Sequence, residues 1–311
     1  MNRYLRIHKF TLWLFVANLL FIGCAPIEVQ ESTRDARGIH GMVAAAHPQA
    51  SQVGVDILKA GGNAVDAAVA VGFTLGVVEP NASGVGGGGF MLIRFADTGR
   101  VVFIDSREKA PGKATADMFE LDENGKVIPD ARGFDPVAIG GKSIAVPGEI
   151  AGLLVALETH GTMSRQQVMQ PAIDYAQQGI NVSNVLAGII AENWEALMTF
   201  PASEKIFLSD GFPREAGDTI INSDLANSLQ LIADKGPDAF YHGPVAQSIV
   251  DAVQADGGLI TLQDLADYEV SFRDAVIGDY RGYQIISAPP PSSGGAHVIE
   301  PVSYTHLRAH E

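Results

Sequence analysis

A glycine-rich run separates an apolar helical segment from a predicted β-hairpin, and this arrangement constrains the fold more than any other feature. Residues 64–78 are mostly alanine and valine, with Asp66 as their only charged residue, and they predict a helix buried on nearly all sides. Five of residues 84–89 are glycine, and the hairpin follows at residues 90–104. Glycines at this density allow close backbone approach, so they either line a pocket with amide donors or form a tight crossing of the chain.

The glycine run also has the spacing G-x-G-x-x-G of dinucleotide-binding proteins. That motif needs a strand before the glycines and a helix after them, because the helix N-terminus binds the pyrophosphate. Here the helix comes first and the strand second, which argues against a nucleotide cofactor. The eight histidines lack metal-ligand spacing and the single cysteine cannot form a pair, so we expect no metal site either.

A polar tetrapeptide follows the hairpin and consists of Asp105, Ser106, Arg107 and Glu108. The planar guanidinium of an arginine can bind a carboxylate through two parallel hydrogen bonds, and flanking carboxylates can hold it in place. An arginine at the end of a strand can also be a surface residue or one half of a structural ion pair. The residues by themselves leave both a ligand-binding and a structural role of Arg107 open.

The N-terminus has the pattern of a secretory signal. Three basic residues within the first nine precede an apolar run at residues 10–22, which is too short for a comfortable transmembrane helix. Cys24, the only cysteine, follows this run and resembles the cysteine of a bacterial lipoprotein cleavage site, which becomes the lipidated first residue. Phe21 stands where that pattern usually has leucine, and an ordinary signal peptide with an incidental cysteine is the alternative.

We predict a signal peptide over residues 1–24 that ends in a lipidated Cys24, and a tether over residues 25–38. The protein is then expected in the periplasm or cell envelope, attached to the membrane through its lipid. The formal net charge of −15 repels phosphate backbones, so nucleic acid is not an expected partner.

The rest of the chain combines many predicted helices with a few strands, which indicates an α+β or layered αββα class. Ser164 and Gln167 form a capping-box pattern at the start of one helix. Ser292 and Ser293 follow three prolines, either in a rigid loop beside a pocket or in a nucleophile loop that lacks the Gly-x-Ser-x-Gly elbow. Further strands are predicted at residues 41–45 and 279–288, and helices at residues 51–60, 148–160, 164–178, 183–198, 223–235 and 243–256.

Several motifs, in the right order, resemble the large subunit of γ-glutamyltransferases, a family that includes the glutathione hydrolases. They are the glycine run with its strand, Asp-Ser-Arg-Glu at residues 105–108, Val-Pro-Gly at 146–148, and residues 41–44, 53–68, 257–261 and 289–295. The resemblance assigns residues 39–300 to the large-subunit portion of such a domain. It implies the layered αββα fold of N-terminal nucleophile hydrolases, incomplete in this chain. Residues 301–311 depart abruptly from the family's pattern. We therefore treat them as an atypical tail and explain the departure by a foreign origin of this segment.

The resemblance also implies a reaction. Members of this family are precursors that cut themselves into two subunits, and a threonine at the new N-terminus attacks the γ-glutamyl carbonyl of glutathione or another γ-glutamyl compound. The acyl-enzyme then passes its acyl group to water, an amino acid or a peptide, without a metal or organic cofactor. The family's arginine at the position of Arg107 holds the α-carboxylate of the γ-glutamyl group.

The nucleophilic threonine of the family is not matched in this chain, so the resemblance assigns it no catalytic residue. We expect the chain as given to be inactive and to need the small subunit of the same precursor as its partner. Two alternatives stay open, namely a cephalosporin-acylase-like amidohydrolase of the same family and an inactive lipoprotein that only binds ligands. Arg107 favours a substrate with an α-amino-acid head over the acylase alternative.

Overall fold

The computed structural model describes residues 36–300, so Cys24, the signal peptide, most of the tether and the tail lie outside the described residues. The chain divides into two units, residues 1–42 and residues 43–311. In the first unit, the described residues 36–42 contain no helix or strand. The second unit contains all the helices and strands reported below.

Helices are the main regular elements of the described part of this unit, and several begin or end at the signals that the sequence carries. They are α1 (Pro48–Lys59), α2 (Ala64–Val78), α3 (Glu149–His160), α4 (Arg165–Gln178), α5 (Asn184–Glu192), α6 (Trp194–Thr199), α7 (Pro201–Phe207), α8 (Ser223–Lys235), α9 (Asp238–Tyr241), α10 (Pro244–Ala255) and α11 (Leu262–Ala266), and residues 294–300 are also helical. No helix within residues 36–300 combines the length and the apolar character needed to cross a bilayer.

The strands are short and pair in antiparallel fashion. They are β1 (Gly89–Arg94), β2 (Val101–Ser106), β3 (Ile180–Asn181), β4 (Leu208–Ser209), β5 (Phe212–Pro213), β6 (Thr219–Ile220), β7 (Ser271–Arg273), β8 (Val276–Tyr280) and β9 (Tyr283–Ser287). The largest sheet in the described part of the chain has the order β1-β2-β7, and β3–β6, β4–β5 and β8–β9 form two-stranded pairs.

The register of the β1–β2 hairpin places the glycine run beside the polar tetrapeptide. Gly89, the first residue of β1, is opposite Ser106, the last residue of β2. Because the strands are antiparallel, the segment that enters β1 and the segment that leaves β2 meet at one end of the sheet. One sheet face packs its apolar residues, including Met91 and Ile104, against the helical core. The other face carries Phe90 and Phe103, whose ring centroids lie 5.4 Å apart.

Helix α2 is the centre of the core, as its composition predicts. The side chain of Asn63 accepts hydrogen bonds from the N–H groups of Val65 (2.8 Å) and Asp66 (3.0 Å), which confirms the predicted cap. The helix packs against α1, α3 and α4, and its Phe73 side chain is 1% exposed. The capping box at Ser164 is confirmed as well.

The structure corrects four local predictions, and three of them concern two strands and the start of α1. Residues 41–45 form no strand; the N–H of Ala45 instead donates to the hydroxyl of Ser51 in α1 (3.1 Å). Helix α1 begins three residues before its predicted start, because Pro48 suits the first helical position and His47 caps it. The single strand predicted over residues 279–288 is the hairpin β8–β9, which turns where Arg281 and Gly282 adopt positive φ.

The helix predicted over residues 183–198 is interrupted at Asn193, where α5 ends and α6 begins. The Asn193 side chain donates to the carbonyl oxygen of Ile189 (2.8 Å), an oxygen that also accepts the backbone N–H of Asn193 (3.1 Å). Asparagine commonly competes with helical backbone bonds in this way.

The carboxylate of Asp66 joins the start of α2 to the turn between α3 and α4. It accepts hydrogen bonds from the N–H groups of Asn63 (2.7 Å), Thr162 (2.8 Å) and Met163 (3.0 Å), and from the Thr162 hydroxyl (2.6 Å). Burial alone would raise the pKa of Asp66, but the hydrogen bonds from Thr162, Asn63 and Met163 outweigh it, and its pKa lies below the ordinary value of 3.8. The charged form is therefore the one that the fold stabilises.

Asp66→Ala should lower the free energy of unfolding by about 3 kcal/mol, because it removes a buried carboxylate and leaves several partly buried donors without an acceptor. Because the folded-state pKa is lowered, the stabilisation is fully present above pH 3.8 and is lost as the pH falls through the folded-state value. Urea unfolding at neutral and acidic pH checks both points. Asp174→Ala, which removes a partly exposed carboxylate of α4 that accepts a hydrogen bond from the Gln170 side chain, is the matched control and should change little. Equal losses in the two variants would contradict the assignment.

Candidate functional site

Three backbone segments cross at the end of the sheet where β1 begins and β2 ends. The carbonyl oxygen of Gly87 accepts the N–H groups of Gly148 (2.8 Å) and Glu149 (2.9 Å) at the start of α3. Lys109 and Val146 exchange two backbone hydrogen bonds, of 3.2 and 2.8 Å. The glycine run, the segment after β2 and the segment before α3 are thus joined directly through their backbones.

The sequence left open whether the glycines make a tight crossing of the chain or line a pocket, and the structure shows some glycines in each role. A Cβ added to Gly88 would lie 2.5 Å from the carbonyl oxygen of Ser106, and one added to Gly148 would collide with that same oxygen. These two glycines therefore make a tight crossing. A Cβ on Gly84 or Gly86 would meet no heavy atom within 4 Å, so these glycines border open space.

That open space is a cavity of about 440 Å³, which is within the usual size range of small-molecule sites. Its walls come from the end of α2, from the glycine run and the residues just before it, and from two carboxylates, Glu108 and Glu149. Burial, and then the negative charge of Glu108, raise the pKa of Glu149. The cavity is therefore suited to a group that carries positive charge or donates hydrogen bonds.

Glu149 was not among the predicted site residues. The Val-Pro-Gly motif directly before Glu149 is part of the family resemblance, but it did not by itself assign Glu149 to a site. An acidic residue in the first turn of a helix is usually interpreted as a favourable partner of the helix dipole. The position of Glu149 in the cavity depends on the crossing with Gly87, which the sequence does not reveal.

Arg107 lies at the same end of the sheet, but it does not line the cavity that its neighbour Glu108 lines. Its side chain is exposed, and the guanidinium carbon lies 5.9 Å from the centroid of the Phe90 ring. Within residues 36–300, no carboxylate forms an ion pair with this guanidinium and no side-chain hydrogen bond uses it. Its donors are directed at no described protein partner and can bind a ligand carboxylate.

Asp105 does not hold the guanidinium of Arg107, contrary to one expectation from the sequence. One of its carboxylate oxygens accepts the backbone N–H of Arg107 (3.1 Å), and the other pairs with the Nε of Arg273 in β7 (2.6 Å). The Asp105 side chain is 6% exposed, so both oxygens need such partners. Asp105 thus fixes the backbone of Arg107 and leaves its side chain available.

Two further short sequences, one of them not considered in the sequence analysis, have local structural roles. The Ser292 hydroxyl accepts the N–H of Gly294 (3.2 Å) at the start of the helical residues 294–300. Gly141, Lys142 and Ser143 form a Gly-Lys-Ser sequence, but they lie in a single 3₁₀ turn and do not follow a strand as in a P-loop. Within residues 36–300, no group of three or more His, Cys, Asp or Glu side chains could hold a metal ion.

Comparisons with known proteins agree on one family. The family described as gamma-glutamyltranspeptidase matches residues 50–306. The chain is 48% identical over 263 residues to the glutathione hydrolase proenzyme of Bacillus subtilis (strain 168), a match that covers 85% of this chain and 44% of that protein. It is 46% identical over 269 residues to the acylase ACY 1 proenzyme of Pseudomonas sp. (strain V22), covering 86% and 48% of the two chains.

A solved structure gives the same result for the fold. The crystal structure of Helicobacter pylori gamma-glutamyltranspeptidase matches with a TM-score of 0.80 and 42% identity, covering 85% of this chain and 74% of that chain. The chain therefore belongs to the gamma-glutamyltranspeptidase family, and the predicted α+β fold of the N-terminal nucleophile hydrolase type is confirmed. The chain spans less than half the length of the curated relatives described here.

The raised pKa of Glu149 gives a test of the cavity. Folding is penalised at pH values above the ordinary value of 4.5, where the carboxylate is ionised in the unfolded chain but resists ionisation in the folded one. Glu149→Gln removes this penalty, so it should raise Tm at about pH 8 and leave Tm unchanged at about pH 4. Glu123→Gln, in an exposed turn, should change Tm at neither pH. A gain for Glu149→Gln that is the same at both pH values would exclude an electrostatic origin.

Proposed function

We propose that residues 39–300 form the large-subunit portion of an enzyme that transfers and hydrolyses γ-glutamyl groups, with glutathione and related γ-glutamyl compounds as substrates. The observation that carries this proposal is the arrangement of charges at one end of the sheet. Arg107 presents an available guanidinium there, and the adjacent cavity presents Glu108 and Glu149. An α-amino-acid head carries one carboxylate and one ammonium group, so it needs both kinds of partner.

In this proposal Arg107 binds the α-carboxylate of the γ-glutamyl group through two charge-assisted hydrogen bonds. The catalytic threonine comes from the small subunit of the same precursor, and the acyl-enzyme that it forms passes to water, an amino acid or a peptide. Both curated relatives described above are proenzymes, which supports a two-subunit product. The 311-residue chain supplies the substrate-binding arginine but no nucleophile, and it is inactive by itself.

An acylase specificity is the second candidate, because the Pseudomonas relative named as an acylase is 46% identical. The two candidates differ in what the substrate presents to Arg107. A γ-glutamyl substrate has an α-carboxylate on the acyl group that is transferred, whereas a simple acyl amide has none there. A lipoprotein that only binds ligands is the third candidate, and it predicts binding without turnover.

The test uses a completed precursor, obtained by joining residues 36–300 to the part of the Bacillus subtilis relative that follows the matched region. The completed precursor should cleave itself and release the chromophore of a γ-glutamyl anilide, whereas the 311-residue chain should do neither. Turnover by the purified 311-residue chain, absent from a mock preparation, would contradict the proposed division of roles. Ligand binding without turnover by the completed precursor would favour the binding-protein candidate.

In the completed precursor, Arg107→Ala should lower kcat/KM for the γ-glutamyl anilide about 30-fold or more, because it removes one partner of a desolvated charge pair. Arg107→Lys should restore only part of the loss, since an ammonium group cannot reproduce the planar fork. The loss should nearly vanish for an anilide that lacks the α-carboxylate. Arg94→Ala, which removes an exposed arginine at the far end of β1, is the control and should affect neither substrate. Equal losses for both substrates would make Arg107 structural.

We further propose that the mature protein is anchored in the bacterial cell envelope through a lipid on Cys24. Expressed in a bacterium that processes lipoproteins, the protein should sediment with membranes and carry an acyl mass on Cys24. Cys24→Ala should release the protein from the membrane fraction or stall removal of the signal peptide. Equal soluble yields from the two forms would exclude lipidation and leave an ordinary signal peptide.

A further inference from the structure

The carbonyl oxygen of Arg107 is held by a residue that lies 161 positions further along the chain. The hydroxyl of Tyr268 donates a hydrogen bond of 2.9 Å to this oxygen. Arg107 follows the last residue of β2, and the pairing of β2 with β7 ends at Asp105 and Ser271. β7 therefore has no residue that pairs with Arg107 in the sheet. The carbonyl oxygen of Arg107 accepts its hydrogen bond from the Tyr268 hydroxyl instead.

The surroundings of Tyr268 fix its ring in place. Only 9% of the residue is exposed, and its ring stacks on the ring of Tyr241 with the centroids 5.7 Å apart and the planes 10° apart. The Lys109 ammonium lies 4.9 Å from the Tyr268 ring centroid and donates to the carbonyl oxygen of Glu269 (2.7 Å). The hydroxyl is thus presented to Arg107 by a ring that has little freedom to move.

The chain also makes room for this hydroxyl. A Cβ on Gly148 would collide with the Tyr268 hydroxyl as well as with the carbonyl oxygen of Ser106. Burial, and then the charges of Asp105, Glu108 and Glu149, raise the pKa of Tyr268 to about 12, so the hydroxyl keeps its proton at neutral pH. It can act as a hydrogen-bond donor throughout the physiological range.

We propose that Tyr268 is a positioning residue for Arg107, because its hydroxyl fixes the backbone from which the substrate-binding guanidinium projects. The inference rests on the proposed function, since it assigns Arg107 to the substrate carboxylate. Two side-chain hydrogen bonds hold the Arg107 backbone. Asp105 accepts its N–H, and Tyr268 donates to its carbonyl oxygen. The first contact is local, whereas the second joins the site to the segment between α11 and β7.

The test is Tyr268→Phe in the completed precursor, because this change removes the hydroxyl and keeps the stacked ring. KM for the γ-glutamyl anilide should rise about fivefold, the usual effect of one neutral hydrogen bond, with kcat nearly unchanged. The Kd of L-glutamate, measured by calorimetry, should rise by a similar factor. The anilide without the α-carboxylate should be cleaved as before, a result that general damage to the fold does not produce.

Tyr241→Phe is the matched control for stability. The Tyr241 hydroxyl donates to the carbonyl oxygen of Pro147 (3.0 Å) and accepts the N–H of Ala151 (3.2 Å), but it does not contact Arg107. This variant should lower Tm without changing the preference for the α-carboxylate. In the Arg107→Ala background, Tyr268→Phe should cause no further loss of that preference, because the residue that it positions is gone.

Each outcome has a distinct meaning. If Arg107→Ala abolishes the preference for the α-carboxylate and Tyr268→Phe leaves KM and Kd unchanged, this inference is wrong and the proposed function stands. If Tyr268→Phe impairs both anilides equally, Tyr268 is structural and the inference is wrong. If the unsubstituted completed precursor neither binds L-glutamate nor cleaves the γ-glutamyl anilide, the proposed function fails and this inference with it.

Discussion

The backbone crossing at the end of the three-stranded sheet brings the candidate ligand-binding groups together. The carbonyl oxygen of Ser106 fills the space that a Cβ of Gly88 or Gly148 would need, so the segments meet at distances that side chains would prevent. Gly87 then accepts two N–H groups from the start of α3, which brings Glu149 to the cavity. Because the joining bonds are between backbone atoms, the frame of the site does not depend on the side chains proposed to bind ligand.

Arg107 is a local exception in a strongly acidic chain. A formal net charge of −15 repels an approaching carboxylate at long range, and salt screens this repulsion beyond about 10 Å. At contact distance the guanidinium fork dominates, because a bidentate pair combines opposite charge with two directed hydrogen bonds. Glu108 and Glu149 lie nearby and oppose a second anionic group. Under the proposed function, these charges favour a zwitterionic head group over a purely anionic one.

The sequence predicted those features that depend on neighbouring residues. The cap at Asn63, the capping box at Ser164 and the β1–β2 hairpin each result from residues at most 17 positions apart, and all three are confirmed. Glu149 and Tyr268 were missed, because their positions result from contacts with segments more than 60 residues away, which no local pattern encodes.

The contacts of Asp105 bear on whether Arg107 binds a ligand or forms a structural ion pair, the two roles that the sequence left open. A buried carboxylate requires partners for both oxygens, and a neighbouring arginine would be an obvious candidate. Here β7 brings Arg273 to one oxygen, and the backbone N–H of Arg107 occupies the other. Within residues 36–300, the structural ion pair at this site is therefore made by Arg273. Among the described residues, the guanidinium of Arg107 keeps its five N–H donors available, and the Phe90 ring that lies close to it cannot accept them as a carboxylate does.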